Sequence, residues 1–285
     1  MYRRALTRYS GTTLDTPART PHYSPAAAAL TGAGGGLLSG IVGGGGGAIM
    51  VPLMTGVLKM SQHTAHGTSL VVIVGTALAA AITYSLDTSL DWVLVVALFA
   101  GSSGGAYTGA RAASRLPALR LRQAFGLFIM LVAARLLFFP DVRALLVVTG
   151  WQEELLGIAI GFFGGVTSGA LGVGGGAVFV PALVLLLGAE QHAAQGISLW
   201  VVVCSSLVGA VTHYRLGTVD LDAARWIAPV AVPAGIAGAV IATGLRADQL
   251  QAVFSVLLVA IGLQATITAT TRLRAQRRAA QQPAP

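Results

Sequence analysis

Residues 35–52 read GGLLSGIVGGGGGAIMVP, and residues 164–181 read GGVTSGALGVGGGAVFVP, the second stretch lying 129 residues after the first with no gap between the copies. The agreement continues downstream, where Gln62-His63 falls on Gln191-His192, Gly67 on Gly196, Ser69-Leu70 on Ser198-Leu199 and Asp91 on Asp220. About half of the positions from 32 to 70 are identical under this shift, more than chance supplies even in a Gly/Ala-rich chain. The sequence reads as an internal duplication, and each copy opens on a glycine cluster set in apolar surroundings.

The solvent for those surroundings follows from the charges. Of 285 residues, 55% are hydrophobic and 10% are charged, whereas a soluble domain carries about 25% charged residues. Lys59 is the one charged residue between Arg19 and Asp87, and Glu190 the one between Glu154 and Arg215. Only a bilayer solvates so much uncharged apolar chain. The net charge of +8 would raise nucleic acid as a partner in a soluble protein, but here the arginines gather in the two tails and around residues 111–122, a pattern of cytoplasmic anchoring. The lipid bilayer is the partner this implies, and nucleic acid is not. Cys204, alone of its kind, lies within an apolar segment and says nothing of redox compartment.

Each copy contains four apolar segments, at 26–58, 64–86, 91–110 and 119–139, then at 153–188, 193–214, 222–244 and 249–270. The expected fold is therefore an all-α integral membrane protein of two four-segment repeats, 26–139 and 153–270, joined by a linker at 140–152. Residues 1–25, rich in Arg, Thr, Ser and Pro without a signal-peptide core, read as a flexible cytoplasmic tail, although the composition would also suit an organellar transit peptide. Residues 271–285 read as a basic cytoplasmic tail. The first segment of each repeat exceeds 30 residues, longer than a straight helix needs to cross about 30 Å of hydrocarbon, and clustered glycine interrupts it. A break is expected there.

Positive charge sets the topology. If all eight segments cross, 12 of the 18 Lys and Arg residues lie inside; if the two first segments are re-entrant hairpins, the repeats are inverted and 15 lie inside. Inverted repeats with both termini cytoplasmic are the better reading, in a multi-pass protein of the plasma (inner) membrane. Paired glycine breaks in inverted repeats point to a midplane transport site. Where the helix resumes, at Gly46, Gly47 and Ala48 and at Gly175, Gly176 and Ala177, free N–H groups and the positive end of the dipole suit an anion. Pro52 and Pro181, a turn or two onward, would bend each half-helix. Against this stands the plain alternative that glycine in membrane helices serves close packing, in a non-transporting assembly or accessory subunit.

The ten carboxylates fall in loops, tails or segment ends, so acidic cation sites and carboxylate proton relays are poorly supported. His63 and His192, equivalent under the shift, flank segments two and six and are candidates for gating or proton coupling, beside a bland role in capping or hydrogen bonding; His66 and His213 are the other histidines of interest. Thr68, Ser69, Gln195 and Ser198 are polar groups for lining a path, unless the hydroxyls bond to their own backbone. HExxH, GxSxG, the phosphate-binding GxxxxGK[ST] pattern and paired cysteines are all absent, so neither an enzyme, a cofactor nor a metal site is expected.

The doubled motif GGLLSGIVGGGGGAIMVPLM and GGVTSGALGVGGGAVFVPAL, each copy followed by Q-H-x-A-x-G-x-S-L, resembles the sulfite exporter TauE/SafE family over residues 28–270. The resemblance implies a permease for sulfite, organosulfonates or related small anions. It carries the family's glycine motif onto Gly43, Gly45, Gly46, Gly47 and Pro52, and onto Gly172, Gly174, Gly175, Gly176 and Pro181. Gly44 extends the run in the first copy where the second has Val173. The sequence does not name the anion, the coupling ion or whether copies of the chain form a homo-oligomer.

Overall fold

The computed structural model describes residues 24–44, 46–113, 118–139, 146, 150–171 and 175–281. The N-terminal tail, Gly45, Gly172, Gly174 and most of the linker lie outside them. The regular elements among the described residues are α-helices: α1 (Pro25–Val42), α2 (Gly47–Gly56), α3 (Gln62–Asp87), α4 (Trp92–Ala113), α5 (Ala118–Phe138), α6 (Trp151–Leu171), α7 (Gly176–Leu187), α8 (Gln191–Arg215), α9 (Leu221–Thr243) and α10 (Ala247–Gln281). Seven of these, α1, α3, α4, α5, α8, α9 and α10, are long and apolar enough to cross a membrane, while α2 and α7 are too short. Helix α10 continues through the first part of the expected basic tail, to Gln281.

Local chemistry sets the helix starts. Ser61 Oγ accepts from Thr64 N–H at 3.2 Å to begin α3. The equivalent aspartates do the same for α4 and α9: Asp91 Oδ1 accepts from Val93 and Leu94 N–H at 2.9 and 3.0 Å, and Asp220 Oδ1 from Ala223 N–H at 2.9 Å. These carboxylates are capping groups.

Close glycine approaches position the helices. A Cβ on Gly32 would lie 2.6 Å from Ile227 O, and one on Gly36 would run into Ala231 O, so α1 lies against α9 with both chains running the same way. A Cβ on Gly161 would run into Leu98 O, and one on Gly165 into Ser102 O, which packs α6 along α4, again in parallel. The 129-residue shift carries the first pair of contacts onto the second. Helices α3 and α8 are antiparallel: Leu70 meets Gly209 and Tyr84 meets Gln195. So are α5 and α10, with Gln123 Nε2 donating to Thr270 Oγ1 at 3.2 Å and Gln251 Nε2 to Leu136 O at 3.1 Å.

Helix α3 runs parallel to α9, since Asp220 N–H donates to Thr68 Oγ1 at 2.9 Å and Gly235 packs beside Thr76. Helices α1 and α3 thus point the same way, and the chain between them has to return. It does so through α2, which doubles back along α1 with Met50 against Gly35 and Leu53 against Gly34. In the second half Phe179 of α7 lies against Gly164 of α6 in the same manner. Met50, Met54, Tyr84 and Ile227 are buried in one core cluster, and Phe179, Leu183, Leu98 and Phe254 in the other. The outer surface is apolar as well, with Leu131, Val96, Phe163 and Ile267 exposed, as lipid contact requires.

Candidate functional site

Among the described residues, α1 ends at Val42 and α2 begins at Gly47, and α6 ends at Leu171 and α7 begins at Gly176. Helix α1 stops at Gly43, whose φ of 66° is left-handed and whose N–H donates to Ser39 O at 3.1 Å. That conformation favours glycine, which has no Cβ to strain it. Gly46, with φ of 69°, precedes α2, and its carbonyl accepts from Ile49 and Met50 N–H at 3.0 and 2.8 Å. Gly47 and Ala48 thereby keep amides with no carbonyl of their own helix to receive them. In the second half Gly175 precedes α7 with a right-handed φ of −75°, and its carbonyl accepts from Val178 and Phe179 N–H, both at 2.9 Å. Gly176 and Ala177 are left in the same position as Gly47 and Ala48. The prolines sharpen the effect, because Pro52 has no N–H for the Ala48 carbonyl and Pro181 none for that of Ala177.

The two breaks touch. A Cβ on Gly176 would run into Gly44 Cα, and one on Gly44 would sit 3.7 Å from Ala177 N. Leu38, Val42, Gly44, Gly46, Ala48, Ile49, Ala177 and Ile261 enclose a small apolar pocket at this junction, with room for about one water molecule.

Polar side chains gather at the first break. Ser39 lies against Gly46: a Cβ there would be 2.8 Å from Ser39 Cβ. Gln195 lies against Gly43 at 2.7 Å on the same measure, and its Oε1 accepts from the Tyr84 hydroxyl, which also sits 3.3 Å from Gly40 O. Gln195 Nε2, Ser39 Oγ, Ser198 Oγ and both polar atoms of the Gln191 amide are buried with no hydrogen-bond partner. An orphan of this kind costs on the order of 1–3 kcal/mol, and of these atoms Ser39 Oγ and Gln195 Nε2 belong to the side chains packed on the first break.

The other candidates have partners of their own or stand exposed. Ser69 Oγ donates to His66 O at 2.8 Å, the backbone bond that takes a hydroxyl out of service, whereas the equivalent Ser198 has none. His63 is exposed at the start of α3. His192 braces two elements: its Nδ1 is 3.3 Å from Glu190 Oε1 and its Nε2 3.1 Å from Leu245 O, near the end of α9. His66 and His213 meet edge to face at 5.3 Å between ring centroids, and they hold the positions that Gln195 and Tyr84 occupy on the other side of the α3·α8 crossing. Among the described residues no cluster of ligating side chains could hold a metal ion. Tyr84 carries no mark in the sequence, since it becomes notable only through Gln195, 111 residues away, and Ser39 lies in the repeated motif without being singled out there.

No solved structure matches the chain. A protein of Bacillus subtilis (strain 168) named "Probable membrane transporter protein YunE" is 27% identical over 221 residues, covering 72% of this chain and 81% of that protein. The family profile "Sulfite exporter TauE/SafE" matches residues 2–136 and 157–285, which include both breaks. The chain is thus a multi-pass membrane protein that belongs to the sulfite exporter TauE/SafE family of membrane transporters.

Proposed function

We propose that the protein exports small anions such as sulfite or organosulfonates across the plasma membrane by alternating access, with the two glycine breaks as re-entrant hairpin tips forming the substrate site near the midplane. The observation that carries this reading is the contact between the breaks at Gly44 and Gly176, where the N-terminal ends of α2 and α7 come together. The antiparallel pairs α3·α8 and α5·α10, and the crossing that recurs under the 129-residue shift, support inverted repeats that rock against each other. With a negative interior, each negative charge gains about 2.3 kcal/mol per 100 mV on leaving, so export needs no coupling ion.

Gly44 is the residue on which to test it. The nearest described atoms to its Cβ would be Val42 Cγ1 at 3.3 Å and the backbone of Gly176 and Ala177 at 3.7 Å, so alanine fits but shields the Ala177 amide. Gly44→Ala should lower labelled-sulfite flux in proteoliposomes at least tenfold, about 1.4 kcal/mol, with its melting temperature nearly unchanged. Normal flux in this variant would reject the amide site.

The accessory-subunit reading draws on the glycines at the α1·α9 and α4·α6 crossings, which do serve packing. Absence of anion flux in wild-type proteoliposomes would favour it. The topology is open to separate measurement. Arg120→Cys and Leu216→Cys, each in a Cys204→Ser background, should both resist an impermeant thiol reagent in intact cells and react after permeabilisation. Labelling of one alone from outside would reject inverted repeats.

A further inference from the structure

We infer that a row of uncharged donors on α8 forms the recognition surface of the site, and that it accepts singly charged oxyanions in preference to dianions; this rests on the transport reading above. Gln191, Gln195 and Ser198 stand at spacings of four and three residues and therefore share one face of α8. Each is at most 3% exposed, and each carries a polar atom without a partner. Gln195 ties the row to the first break, because its side chain packs on Gly43 while Tyr84 takes its Oε1 and leaves Nε2 to donate. Ser39, fully buried and also unpartnered, faces the same break from α1 beside Gly46. An oxyanion here would receive amide and hydroxyl hydrogens from Gln195, Ser39 and Ser198 together with the N–H groups that open α2.

The matching face of α3 lacks this provision. Gln62 is exposed, His66 stacks on His213, and the Ser69 hydroxyl is spent on the backbone. The duplicated helices have diverged, and the orphaned donors belong to α8.

Charge class follows from what surrounds the junction. The described side chains around the first break and its pocket, Leu38, Ser39, Val42, Gln195 and Ile261, include no Lys, Arg or His. The desolvation penalty of an ion rises with the square of its charge, so a dianion incurs about four times that of a monoanion, and dipoles alone offset it poorly. A sulfonate or hydrogensulfite meets the lower penalty with the same set of oxygen acceptors.

The test uses the full chain in nanodiscs with methanesulfonate and sulfate, tetrahedral oxyanions of similar size and different charge. Calorimetry should show methanesulfonate bound at least tenfold more tightly than sulfate. Gln195→Leu should weaken methanesulfonate at least tenfold and Ser198→Ala about threefold, a hydrogen bond's usual share. The lipid-facing Val96→Ala should bind as wild type. If Gln195→Leu fails to fold, Ser198→Ala and Gln191→Leu decide, since their lost atoms have no protein partner. Equal affinity for the two anions, or no binding of either, overturns the charge assignment; unchanged methanesulfonate affinity in the α8 variants overturns the donor row. Labelled-methanesulfonate flux in proteoliposomes separates these failures from that of the transport reading: tight, selective binding without flux refutes transport alone, and equal flux of both anions refutes the selectivity alone.

Discussion

The glycines of this chain do two different jobs, as the crossings and the breaks make plain. At α1·α9 and α4·α6, glycine removes a side chain so that one backbone can lie against the carbonyls of another, and the helices continue undisturbed. At Gly43 and Gly46 the backbone itself turns left-handed, the helix ends, and polar groups collect around the gap. The first kind of glycine supplies contact, and the second interrupts it. Counting glycines treats the two alike; asking what a Cβ would meet separates them.

Adding a methyl group at graded positions tests that separation. Gly36→Ala should do the most damage, since its Cβ would strike the Ala231 backbone, and a loss of about 3 kcal/mol should appear as a sharp fall in detergent-extracted yield and melting temperature. Gly46→Ala combines a left-handed φ with a Cβ 2.7 Å from Gly35 O and should lose about 2 kcal/mol together with anion binding, a mixed result that distinguishes it from Gly36→Ala only if binding falls in the fraction that remains folded. Gly44→Ala should barely move the melting curve while flux collapses. Smallest of all is Gly104→Ala on α4, where a Cβ meets nothing within 4 Å; a gain of about 0.5 kcal/mol in thermal stability is expected from helix propensity, with flux unchanged. Comparable destabilisation by Gly36→Ala and Gly44→Ala would erase the distinction between the two kinds of glycine.

Much of this was legible in the sequence because it is local. Glycine clusters at 43–47 and 172–176 marked the interruptions, and runs of apolar residues marked the helices to within a few residues, apart from α10, whose helix continues among arginines past residue 270. The asymmetry of the breaks was not legible. Gly46 is left-handed and Gly175 right-handed although the motifs align, and a Cβ on the first would meet Ser39 where one on the second would meet Phe179. Nor could the site's side chains be paired in advance. Tyr84 and Gln195 are 111 residues apart and meet only because α3 and α8 cross antiparallel. Ser69 and Ser198 look identical in the aligned motif, yet one hydroxyl bonds to its backbone and the other does not, a rotamer decision invisible to spacing.

The exchange of partners between the two halves also bears on how the protein is made. Helix α6 emerges from the ribosome when its partner α4 has already been synthesised, but α1 leaves first and its partner is α9, with 195 residues separating Gly36 from Ala231. Until that ninth helix arrives, the glycine seam of α1 has nothing to close against, so the opening helix must be held in the membrane by other contacts or by the insertion machinery. A first half released alone would therefore be an open fragment, and the duplication that built the molecule has left neither copy able to finish folding without the other.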